Sequence, residues 1–140
     1  MKKLTKKQVS ILTKVKEKIT LNPEKFVMDQ FHSECNTMHC ISGWMSVIRF
    51  KQKDFKIKPH KSILNDSSWT NWIPKNKKAE SDSILNEKYL GYDQGDCPLF
   101  YLKYWSKPFQ KRWENAKTNK GKARIACAVI DNFIKQRGVE

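Results

Sequence analysis

Apolar residues return every three or four positions at both ends of this chain, and that periodicity restricts its fold more than any other feature. Ile11, Leu12, Val15 and Ile19 describe a helix over about 5–20, opened by Thr5 with Gln8 as the third helical residue, the pattern of a capping box. Ala126, Val129, Ile130, Phe133 and Ile134 describe another over 119–136, with Gly138 at its end. Between them, Thr37 can cap a helix to about Phe50 whose buried stripe is Ile41, Trp44, Met45 and Ile48. Asn22-Pro23 starts a short turn, and Ser81-Asp82 opens a helix that stops at Gly91. Pro98 and Ser106-Lys107-Pro108 open two more, the first through Trp105 and the second carrying Phe109 and Trp113. Residues 51–80 lose the period and hold Pro59, Pro74, Asn65-Asp66-Ser67-Ser68 and eight Lys. No strand alternation of useful length and no repeat stand out. The expectation is an all-α protein: a single compact domain over 1–140, of five or six helices, with one long basic loop at about 51–80.

Charge is the second constraint. Lys and Arg number 28 against 14 Asp and Glu, for a net charge of +14. Three basic blocks, 1–25 (+6), 51–79 (+6) and 101–140 (+7), surround 26–50 (−1) and 80–100 (−4). Such an excess draws an anionic partner, nucleic acid, nucleotide or an acidic protein surface, although a lysine-rich surface also serves solubility. With five Trp, four Tyr and seven Phe the chain has the apolar area for a core despite a charged content of 30%. No apolar run follows the basic start and none approaches a membrane span, so the chain is expected in the cytoplasm, without a membrane partner. There its four Cys stay reduced.

Chemistry concentrates between His32 and Trp44. A zinc reading would use His32, Cys35, His39 and Cys40, but adjacent His39 and Cys40 diverge by about 100° on a helix, and no second ligand pair follows. A catalytic reading would make Cys40 the nucleophile, at the third position of a helix capped by Thr37, with His32 or His39 as base. A Cys35–Cys40 redox switch is a further possibility, and buried structural thiols are the plainer one. Gly43 within this helix points to close packing. In the loop, cations and rings interleave, and Lys51, Lys53, Lys56, Lys58, Lys61, Trp69, Trp72, Lys75, Lys77 and Lys78 form a candidate surface for phosphates and stacked bases. Equally, those rings could pin the loop to the core. The acidic stretch Glu80–Asp96 reads as capping and charge balance, without a calcium-loop spacing. No glycine-rich phosphate loop or nucleophile elbow implies a cofactor or hydrolase.

The segment Cys35-x-Thr37-x-x-Cys40-Ile41-Ser42-Gly43-Trp44, preceded by Phe26-Val27-Met28-Asp29 and His32, resembles a C-x-T-x-x-C-I-A-G-W type motif of short uncharacterised bacterial and phage proteins. The resemblance continues at Leu90-Gly91, Leu99-Phe100-Tyr101, Trp105-x-x-Pro108-Phe109 and Lys122-Ala123-Arg124-Ile125-Ala126, then Ile130-Asp131-Asn132-Phe133-Ile134. Ser42 stands where the motif has Ala, and Asn36 where it has Gly. It implies a shared fold and no activity. The expected function is therefore binding: a small basic protein, accessory or phage-encoded and then working in the host cytoplasm, that engages nucleic acid or a nucleotide. The alternatives are a counter-defence inhibitor or adaptor docked on an acidic host protein, and a cysteine-dependent enzyme or redox switch at Cys40.

Overall fold

A computed structural model describes residues 1–30, 32, 39–61, 68–76 and 80–140, the side chains of 60, 61 and 68 excepted. Five helices occur among them: α1 (Lys6–Leu21), α2 (Ile41–Arg49), α3 (Asp82–Tyr89), α4 (Lys107–Asn115) and α5 (Asn119–Arg137). Two strands, β1 (Phe55–Lys61) and β2 (Ser68–Pro74), pair antiparallel.

The outer helices follow their periodicity. Thr5 accepts from the Gln8 N–H and Gln8 answers the Thr5 N–H, which closes the capping box. Leu12, Val15 and Ile19 of α1 pack with Ile41 and Met45 of α2 and with Ala126, Val129, Ile130 and Phe133 of α5 in one core. Thr118 caps α5 by accepting from the Gly121 N–H. Gly138 ends it at φ +78°, a conformation that favours glycine. The two ends of the chain then meet: Leu4 pairs with Val139, its N–H donating to the Gly138 carbonyl at 2.9 Å. The stretch after Pro98 forms turns and a single 3-10 turn, Leu102–Tyr104, in place of the expected short helix. No helix among the described residues is long and apolar enough to cross a membrane.

The β1–β2 pair overturns the all-α expectation. Phe55, Ile57 and Pro59 alternate with Lys56, Lys58 and His60, a period of two, and pair respectively with Pro74, Trp72 and Thr70. On the resulting inner face Phe55, Thr70 and Trp72 are buried. On the other, Lys56 and Lys58 are exposed. Pro59 is compatible with this because both strands of a two-stranded sheet are edges. Residues 51–80 are thus not one long loop: most of the described ones form a ribbon whose inner face lies on α3.

Candidate functional site

Beneath the ribbon lies a chain of buried polar groups drawn from distant parts of the sequence. Asp82, the first residue of α3, does not cap its own helix but turns into the core. Its Oδ1 accepts from the Trp72 N–H at 3.3 Å. Its Oδ2 accepts from the Ser46 hydroxyl of α2 and from His32 Nε2–H, the latter at 2.6 Å. Three donors offset the cost of removing this carboxylate from water. The His32 ring stacks on Trp72, with centroids 4.1 Å apart and planes within 5°. Its Nδ1 lies 2.7 Å from His39 Nδ1. One proton fits between two nitrogens at that distance, so one ring donates and the other accepts.

His39 is held from both sides. Its N–H donates to the Lys25 carbonyl at 2.9 Å, its carbonyl accepts from the Val27 N–H at 3.1 Å, and its ring stands edge-on to Trp44. His32 is tied to β2 by the Thr70 N–H, which donates to the His32 carbonyl at 2.9 Å. A second polar seam runs beside the first. Asn86 of α3 donates to the Ser42 carbonyl and to the Ser46 hydroxyl, and accepts from Arg49 at 2.7 Å. Glu87, also buried, accepts from the Gly95 and Cys97 N–H groups and hydrogen-bonds to Tyr101.

This geometry bears on the metal and catalytic candidates. Two nitrogens on one tetrahedral zinc would stand about 3.4 Å apart. The His32–His39 separation is that of a hydrogen bond instead. No group of three or more His, Cys, Asp or Glu among the described residues could hold a metal ion, and Cys35 and Thr37 lie outside those residues. Cys40 is not at the third helical position. Its extended backbone (φ −80°, ψ −173°) makes it the N-cap of α2, with Sγ accepting from the Gly43 N–H at 3.4 Å. Burial pushes its thiol up to about 12, so it stays protonated at neutral pH and is a poor nucleophile.

The basic-aromatic set divides. Lys56 and Lys58 share the outward face of β1. Lys51 and Lys53, both exposed, cap and form part of the 3-10 turn Gln52–Asp54 that leads into it. Exposed Lys75 joins them because its N–H donates to the Asp54 carbonyl at 3.1 Å. Five cations therefore line one end and one face of the ribbon. The Lys61 side chain, and Lys77 and Lys78 altogether, fall outside the described residues. Trp72 is an inner-face residue against His32, while half-buried Trp69 helps to wall a cavity of 190 Å³ shared with Cys40, Phe100 and Tyr101.

No family model matches the chain, and no curated protein or solved structure does. Sequence reasoning missed Asp82, Ser46 and Asn86. Their signal was slight: a cluster of small polar residues, Ser42 and Ser46, one helical turn apart on an otherwise apolar face.

Proposed function

We propose that this protein binds nucleic acid along the lysine-bearing face of the β1–β2 ribbon. The observation that carries this reading is the strand register, which aligns Lys56 and Lys58 on one face while Phe55, Thr70 and Trp72 anchor the other. Lys51, Lys53 and Lys75 extend the positive surface at its end. A ribbon anchored on one face presents its cations at little further entropic cost, and a two-stranded ribbon is narrow enough for the major groove of a duplex. The lysines supply phosphate contact rather than base readout, so affinity should rest on counterion release.

Binding of a labelled oligonucleotide should therefore fall steeply between about 50 and about 200 mM salt. The double substitution Lys56→Glu/Lys58→Glu should flatten the slope of log affinity against log salt by about 2, roughly one per lost phosphate contact. An affinity that is flat in salt, or unchanged in that variant, would overturn the reading. So would co-purification of an acidic protein with no retention of any oligonucleotide.

A further inference from the structure

The cavity beside Trp69 has a size and lining that the ribbon lysines do not explain. It encloses 190 Å³, somewhat more than the ~150 Å³ of an engineered apolar cavity that holds one benzene ring. Phe100 and Cys40 are buried, Trp69, Tyr101 and Met28 are half-buried, and all five border it. Three rings, a thiol and a thioether make a polarizable, largely apolar wall. The polar groups come at one place: Gln30, half-buried, and Asp29, exposed, adjoin Met28 on the segment leading to His32. A ligand that fits is flat, with apolar faces and N–H donors on one edge. A carboxylate at that edge disfavours an anionic ring and favours paired N–H donors.

Register supplies the link to the charged surface. Trp69 lies opposite His60 on β1 and diagonal to Lys58, within reach of a long side chain. A phosphodiester chain lying over Lys56 and Lys58 would carry its bases past Trp69. The geometry points to this cavity as a pocket for a single nucleobase, guanine above the others, because its N1–H and exocyclic amine match the carboxylate of Asp29. This deepens the ribbon reading and rests on it for the source of the base, a nucleic-acid strand. A free nucleotide offers the same chemistry.

The test uses the full chain and short labelled strands: oligothymidylate, the same strand with one guanine or one adenine, and a base-free backbone of equal length. The guanine strand should bind about fivefold more tightly than the adenine strand, the lower range for a carboxylate or amide reading one base edge. Both should exceed the base-free backbone. Asp29→Asn, a change at an exposed position, should abolish the guanine margin, read as the ratio of guanine-strand to adenine-strand affinity within the same variant. Trp69→Ala should bring all strands towards the base-free backbone, and Lys56→Glu/Lys58→Glu should weaken all equally. Guanine and base-free strands of equal affinity, with salt-sensitive binding intact, would overturn the pocket and leave the ribbon reading standing. If no strand binds, the ribbon reading fails, and calorimetric titration with GMP decides the pocket. Heat that disappears in Asp29→Asn supports it, and no heat overturns it.

Discussion

Asp82 is the residue on which most of the buried polar structure converges, and it sits where a helix-capping role would be expected. Asp82→Ala would take the carboxylate acceptor from the His32 Nε2–H, the Trp72 N–H and the Ser46 hydroxyl, leaving the last with the Ser42 carbonyl at 3.3 Å. The expected loss is about 3–5 kcal/mol, the range for removing one member of a buried pair, read as a lower urea midpoint with circular dichroism. Ser46→Ala removes one donor from the carboxylate and one acceptor from Asn86, each of which keeps other partners, and should cost less, about 1–2 kcal/mol. Equal midpoints for Asp82→Ala and wild type would refute the network. Among the thiols, Cys40 and Cys97 are buried and pushed up to about 12, chiefly by desolvation, while Cys127 is half-buried. Alkylation of the native protein at neutral pH, mapped by peptide mass, should modify Cys127 well before either of them. Cys40 modified first would restore the case for a reactive thiol. At this scale the sequence was partly readable. His32 and His39 could be singled out as chemically notable, but their acidic partner lies 50 residues away, and nothing local marks Asp82 as turned inward. The Cys40 cap was missed because Thr37, a better capping residue, stands three positions earlier.

Elements differ in how far their own sequence determines them. The helix expected over 5–20 runs Lys6–Leu21, and the one expected over 119–136 runs Asn119–Arg137. Each carries its caps and an unbroken apolar stripe, so local signals suffice. The ribbon is another matter. Its alternation rests on Phe55 and Ile57 alone before Pro59 interrupts it, and its buried face exists only because Trp72 finds His32 and α3 beneath it. The pair Trp69 and Trp72 illustrates the loss. Three positions apart, they would share a helix face, but in β2 they fall on opposite faces, so they cannot act as one stacking platform. Trp72→Ala should therefore behave as a core truncation, destabilising by about 3–5 kcal/mol in chemical denaturation. Lys56→Ala and Lys58→Ala should stay within about 0.5 kcal/mol of wild type, as exposed substitutions do. If Trp72→Ala were as mild as the lysine variants, the ribbon would not be docked as described.

For the molecule as a whole, the balance to weigh is between a net charge of +14 and an interior that holds two thiols and a phenol in their neutral forms. Burial raises Cys40 and Cys97 from 9.0 to about 12, and Tyr101 is raised too, by burial and then by the nearby Glu87 carboxylate. The sign follows from proton counting. Above pH 9 the unfolded chain releases its thiol protons while the folded chain keeps them, so the unfolded state binds fewer protons and stability falls as pH rises. The contribution is complete below pH 9 and is lost progressively towards pH 12, by up to about 1.4 kcal/mol per pH unit for each thiol. The net positive charge also falls as pH rises, which relieves self-repulsion of the compact state and opposes the trend. Wild type alone would therefore mix two effects of opposite sign. Comparison with Cys40→Ser/Cys97→Ala separates them, because every lysine is common to both proteins. Stability from urea titrations at a series of pH values from 8 to 10 should decline more steeply in wild type than in the double variant, the difference in slope growing above pH 9. The variant should start lower, since it loses two buried sulfurs and their packing, and the two curves should converge as pH rises. Parallel curves would mean that these thiols ionise alike in the folded and unfolded chains, and that the core around Cys40 and Cys97 admits water.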